Sequence, residues 1–337
     1  MSLYLGTTLI SGVATGDAAT TRSDALFLTD TTVNAVMSSN RDWCYSAYGN
    51  GMHVAVADGT NVAAYSADGI TWTDTTLPAS GSWLYVTYGN GKFVAVGYKV
   101  AAYSTDGANW TSINMPSSTL QYQSVTYGNG KFVAVAYGSD DAAYSTDGVN
   151  WVASTMPISS NWHSVAYGNG MFIAVSYNSD IAAYSTDGIT WTEATLPTTT
   201  YWHSVAYGNG KFVTTGGSTN TAYSTDGINW VASTMPASAY WYSVVYGGSK
   251  FVAIGSSGNA AYSIDGINWT GVDLPNGISR ASVIYDDNKF ISVPNSTASN
   301  IVVVSTDGIN WTSTPTITSI IDINGNDVTE MVRNAIT

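Results

Sequence analysis

A single cysteine, Cys44, in 337 residues rules out an intrachain disulfide. Charge is scarce, at 10% of the chain, and the acidic residues outnumber the basic ones 23 to 10, for a net charge of -13. A surface of that sign repels nucleic acid and anionic membrane, so neither is an expected partner. No apolar run approaches the roughly 18 residues of a membrane span, so no membrane insertion is expected. The opening "MSLYLGTTLISGVATGD" lacks a basic start and a long apolar stretch, and a secretory signal is not expected. Only Glu193 and Glu330 are glutamates, and only Arg22, Arg41, Arg280 and Arg333 are arginines. Little material exists for an acid–base pair of glutamates or for an arginine clamp on a carboxylate. Cys and His show no metal-ligand spacing. The recurring "GNGK" lacks the spacing and the following helix of a phosphate loop. Neither a metal nor a cofactor is expected. Helical spacing of apolar residues is missing as well.

What the chain has instead is Gly, Tyr, Trp, Ser and Thr, the residues of tight turns and pleated strands. They come in a repeat. Ser-x-Asp-Gly recurs seven times, with its glycine at Gly69, Gly107, Gly148, Gly188, Gly227, Gly266 and Gly308, so the period is close to 40. A second marker, "YGNGK" or a variant, begins at Tyr48, Tyr88, Tyr127, Tyr167, Tyr207, Tyr246 and Tyr285. One unit reads "WHSVAYGNGKFVTTGGSTNTAYSTDGINWVASTMP", Trp202 to Pro236. It parses into four short strands: Asn-Gly suits a two-residue hairpin between the first and second, and Asp-Gly turns the chain between the third and fourth. Seven four-stranded units in series need a ring to hide their edges. The expected fold is an all-β, seven-bladed β-propeller of four-stranded antiparallel blades. The expected divisions are an N-terminal segment 1–40, a propeller 41–316 and a C-terminal hairpin or tail 317–337. Ala25–Met37 and Ser319–Val332 read as worn strand pairs, and an eighth blade closed from both termini is the alternative.

Ser-x-Asp-Gly-x-x-Trp, as in Ser104–Trp110, resembles the Asp-box (BNR) repeat of sialidase-like propellers. The family form has a residue between Asp and Gly, which are adjacent here. The resemblance implies a structural turn between third and fourth strands rather than an active site. The residue chemistry agrees: Asp106 can accept amides of its own turn, Gly107 can take a positive φ and Trp110 can pack between sheets. The sialidase arginine cluster and its nucleophile pair have no counterparts, so that activity is not implied. The start "SLYLGTTLISGV" is similar to the opening segment of phage tail-fibre proteins. That similarity implies a virion location in a phage tail, synthesis in the bacterial cytoplasm, and other tail proteins as partners.

Comparison of the units with one another separates scaffold from variation. "YGNG" and "STDG" are nearly constant and fall on one face. The second-to-third loops ("GYKV", "AYGSDD", "SYNSD", "TGGSTN") and the linkers between units differ every time, and fall on the other face. Loops on a rigid scaffold are where binding concentrates. A column at the start of the first strand also varies: Trp43, Trp83, Tyr122, Trp162, Trp202, Trp241 and Arg280. An arginine in a dry interior is costly without a partner, so this column reads as an aromatic platform for ligand. The competing reading is a cap on the core between blades. His163 and His203 follow their Trp directly, in a column that also holds Cys44, Leu84, Gln123, Tyr242 and Ala281. So mixed a column reads as filler between blades or as a ligand set, and both histidines stand with the candidates. Rings flanked by Ser, Thr and Asn suit a neutral sugar. The expected function is a non-enzymatic, lectin-like module that binds a bacterial surface carbohydrate or receptor through the variable face, with no catalytic residues. Two alternatives stay open. One is a polysaccharide-cleaving glycosidase using two of Asp42, Asp58, Asp140, Asp141 and Asp180. The other is a structural or protein-docking propeller.

Overall fold

The computed structural model describes residues 37–313, apart from 38, 70, 278–279, 287 and 295–299, and outside that span residues 3–5, 8–10 and 26–27. Two compact units are distinguished: Ala35–Ser313, and a second formed by residues 1–34 and 314–337. In the second unit, Leu3–Leu5 pairs antiparallel with Thr8–Ile10 and parallel with Leu26–Phe27. The segments read above as an eighth blade fall largely outside the described residues.

The larger unit is a β-propeller. Its described residues form seven four-stranded antiparallel blades, one for each repeat. In the first blade the strands are Trp43–Gly49, Met52–Ala57, Thr60–Ser66 and Thr73–Gly81. In the seventh they are Arg280–Asp286, Lys289–Pro294, Val303–Ser305 and Thr312–Ser313. The first strands pack against one another around the ring, and the seventh blade packs directly on the first. Trp43, Ala55, Ile284, Ile291 and Val293 share one core cluster there, and the Ser46 and Ser282 hydroxyls meet at 3.1 Å.

Each element follows from its residues. The hairpins turn at pairs such as Asn50 and Gly51, with φ of 52° and 75°, where a β-branched residue would be strained. Second strands such as Lys131–Ala136 are buried at every position after the first. Burial of both faces of a strand is what stacked sheets produce, and it explains the continuous Phe-Val-Ala runs in place of strict alternation.

The Ser-x-Asp-Gly turn is a closed hydrogen-bond system. In the third blade the Ser145 hydroxyl donates to Asp147 at 3.0 Å and accepts the Gly148 amide at 2.9 Å. The Asp147 carboxylate accepts the amides of Val149 and Asn150 and the Asn150 side chain at 2.7–2.8 Å. These donors favour the charged carboxylate. The Asn150 amide leads in holding Asp147 well below the usual range, and the Asn109 side chain leads in lowering Asp106 to about 2. The expectation of a structural bracket fits this geometry.

Blades are also stitched near the axis. The hydroxyls of Ser124, Ser164, Ser204 and Ser243 each accept, at 3.2 Å, the amide of the valine at the corresponding place in the next blade. On the constant face a second lock repeats. A β-carbon placed on Gly49 would lie 1.9 Å from the Tyr88 ring, and Gly89, Gly128, Gly168, Gly208 and Gly247 are closed in the same way by the tyrosine of the following blade. Only glycine allows so close an approach.

Candidate functional site

The first-strand aromatic column lies inside the protein. Trp43, Trp83, Trp162, Trp202 and Trp241 are each 0% exposed and Tyr122 is 2% exposed. The indole N–H of each tryptophan donates to a backbone carbonyl four residues earlier, from Ser39, Ala79, Ile158, Thr198 and Ala237 respectively, at 3.1–3.3 Å. These rings have no free face for a ligand, and the platform expected of them is corrected to interblade core. Arg280 opens the equivalent strand of the seventh blade through its pairing with Pro294; its side chain lies outside the described residues. The tryptophans three residues after each Ser-x-Asp-Gly glycine, present in all seven units, are the less buried of the two columns. Trp72, Trp191 and Trp311 are 5–8% exposed, and Trp110, Trp151, Trp230 and Trp269 are only partly buried.

The reason is a β-bulge. The ladder shifts register between Trp43 and Tyr45, Trp83 and Tyr85, Tyr122 and Ser124, Trp162 and Ser164, and Trp241 and Ser243. A bulge inserts one unpaired residue and re-aims its side chain. The inserted residues are Cys44, Leu84, Gln123, His163 and Tyr242, members of the column that sequence reasoning left undecided between filler and ligand set. Together with His203 they line a cavity of about 220 Å³ at the start of the first strands, with Tyr45, Tyr85, Ser164 and Ser204 completing the wall. The available signal was the mixture itself: Cys, Leu, Gln, His, His, Tyr and Ala do not make a packing column.

The wall is neutral. The only ring N–H that can serve the His203 carbonyl sits on Nδ1 of His163, which donates to it at 2.9 Å. That fixes the tautomer and leaves Nε2 to accept from the Gln123 amide at 3.5 Å. Burial lowers the His163 pKa, and burial followed by the neighbouring His163 lowers that of His203 to about 3. Nε2 of His203 is buried without a hydrogen-bond partner among the described residues. Burial likewise raises the Cys44 thiol to about 12, aided by Asp58, so the thiol stays protonated and unreactive. At the wall, Tyr45 and Tyr85 stack with ring centroids 3.6 Å apart, and burial raises both phenols.

Around the histidines runs a crescent of rings from the variable loops and linkers. His163 stacks on Tyr177 at 5.4 Å and meets His203 edge-on at 5.2 Å. Tyr177 lies 4.8 Å from Tyr201, and Tyr201 lies 6.0 Å from Tyr240. His203 also reaches Tyr242 at 5.2 Å. Tyr201 and Tyr240 are 37% and 46% exposed. Backbone pairing holds these loops in place: Tyr177 with Tyr201, and Gly217 with Tyr240.

The loop aspartates Asp42, Asp58, Asp140, Asp141 and Asp180 are all exposed, and none lines this cavity. No group of three or more His, Cys, Asp or Glu side chains among the described residues is placed to hold a metal ion.

No family model and no curated protein sequence matches the chain. Solved structures do. A streptogramin B lyase superposes with a TM-score of 0.71 at 10% identity, over 78% of this chain and 94% of that one. A catalytically inactive histidine-to-alanine variant of virginiamycin B lyase from Staphylococcus aureus, with quinupristin, gives 0.69 at 12% identity, over 78% and 95%. YCF48 bound to D1 peptide gives 0.63 at 15% identity, over 85% and 98%. These are an enzyme and a peptide-bound protein on one architecture, and at such identities the likeness is one of fold.

Proposed function

We propose that this propeller is a non-enzymatic binding module that takes a neutral, hydroxyl-rich ligand, a bacterial surface carbohydrate, at the mouth of the ring on its variable face. The observation that carries the reading is the make-up of the mouth. Among the described residues its wall holds Gln123, His163, His203, Ser164, Ser204 and tyrosine rings, and no carboxylate, lysine or arginine. Rings offer faces to sugar C–H surfaces, and neutral donors and acceptors meet hydroxyls without the desolvation cost of a buried charge. The unpartnered Nε2 of His203 offers one such hydrogen bond. A wall without carboxylates also holds no acid and base pair for glycoside hydrolysis. The phage-tail setting rests on the resemblance of Ser2–Val13 to tail-fibre openings.

The test is an array of bacterial surface glycans probed with the full chain, with new reducing ends assayed on every glycan retained. Retention without new reducing ends, lost in Tyr177→Ala and His203→Ala, is expected. New reducing ends would replace this reading with a hydrolytic one. Retention of peptides and of no glycan would replace it with protein docking.

A further inference from the structure

Six of the seven blade junctions on the constant face are built alike. At each, a glycine of one blade receives the tyrosine ring of the next, and a fully buried phenylalanine backs that tyrosine. Tyr88 lies 4.8 Å from Phe93, and the same pair recurs as Tyr127–Phe132, Tyr167–Phe172, Tyr207–Phe212, Tyr246–Phe251 and Tyr285–Phe290 at 4.7–4.9 Å. The junction between the seventh and first blades breaks both rules at once. The glycine position holds Asp286, and the phenylalanine position holds His53. Tyr48 still packs on the ring behind it, at 4.7 Å from His53, but a β-carbon at 286 denies it the seat that a glycine gives elsewhere. The two departures face each other: Nε2 of His53 lies 3.5 Å from a carboxylate oxygen of Asp286, with the side chains 3% and 14% exposed.

We propose that the ring is closed by a protonation-sensitive latch, His53 of the first blade against Asp286 of the seventh, which grips harder when the imidazole carries its proton. A neutral imidazole offers the carboxylate one hydrogen bond, whereas an imidazolium adds a charge–charge attraction in a site largely shielded from water. Among the described residues, the other titratable groups facing this point are Asp68 and Tyr48 from the first blade and Lys289 from the seventh. They line a shared cavity of about 240 Å³ with Ala67 and Ile291. Trp72 stands 6.2 Å from the imidazole on the first-blade side. The seam joins residues 233 positions apart in the chain, so it is the contact made only once the ring is complete.

The sign follows from linkage. A histidine that gains a carboxylate partner on folding adds stability below its unfolded value, and that addition is lost as pH rises through the folded value. Melting of the full chain is compared at about pH 5 and about pH 8, on either side of the ordinary histidine range. The variants are Asp286→Asn, which keeps the shape without the charge, and His53→Phe with Asp286→Gly, which rebuilds the lock of the other six junctions. Because both retain His163, His203 and every box aspartate, differences from the parent isolate the seam. The parent's melting temperature relative to each variant is expected to be about 1–3 °C higher at the lower pH than at the higher one. Phe93→His, which puts the same ring opposite Gly49 in place of an aspartate, is expected to lose stability further on acidification. A parent and variants that respond identically to pH, or a parent advantage that grows at the higher pH, would overturn the latch.

Discussion

Two neighbouring columns of the first strands, one residue apart, meet opposite fates. Trp162 is wholly enclosed between blades, while His163 reaches the mouth of the ring. The same holds at Trp202 and His203, and at Trp241 and Tyr242. Chemical type does not separate the columns, since both contain aromatics. What separates Trp162 from His163 and Trp241 from Tyr242 is the bulge, which turns the second residue out of the ladder. Variation is therefore a poor guide to exposure in this protein: the Trp column varies and is core, whereas the box Trp never varies and is partly exposed.

The sharpest way to break the comparison is to truncate one member of each column. Trp162→Ala is expected to cost about 3–5 kcal/mol, the usual loss for a large buried ring, read by denaturant unfolding. The fraction that stays folded is expected to bind as before. Should Trp162→Ala keep the parent's stability and lose ligand, the assignment of the columns is reversed.

Asp147→Ala comes next. It leaves the Val149 and Asn150 amides without their carboxylate, and bonds to a charged acceptor are worth about 1.5–3 kcal/mol each when buried; at this exposed turn the lower end, about 1–2 kcal/mol, is expected, with binding unchanged. The same carboxylates set the acid limit. Asp106 and its counterparts have lowered pKa values in the folded chain. Their contribution is present above the ordinary aspartate value and is lost as pH falls through the folded one. Stability is therefore expected to drop between about pH 4 and about pH 2, and an acid titration followed by circular dichroism checks it.

His203→Ala is expected to weaken glycan binding by about ten- to a hundredfold, the worth of one buried hydrogen bond and a ring contact, while moving the melting temperature little. An equal loss of stability and binding would place His203 with its Trp neighbour as core.

The smallest effect concerns pH and binding. With the His203 pKa lowered to about 3 and that of His163 lowered as well, both rings stay neutral in the folded protein. Affinity measured by calorimetry is expected to stay level from about pH 8 to about pH 5. For stability the sign is the reverse of the latch: a histidine held neutral costs stability as pH falls below its unfolded value. A step in affinity near the ordinary histidine value would mean that a mouth histidine carries charge in the complex.

The sequence by itself determined the architecture, because the signals for it are local. Asn50-Gly51 requires positive φ at both positions, Ser145-x-Asp147-Gly148 closes its own hydrogen bonds within six residues, and seven such brackets at one period demand a ring. The same signals separated the constant face from the variable one. Tertiary structure alone decided which side chain of each first strand is wall and which is core. A bulge depends on how a strand pairs with its neighbour, and Trp162-His163 reads the same with or without one. It also alone decided the seam. His53 and Asp286 are single departures in distant repeats, and only closure of the ring sets one against the other.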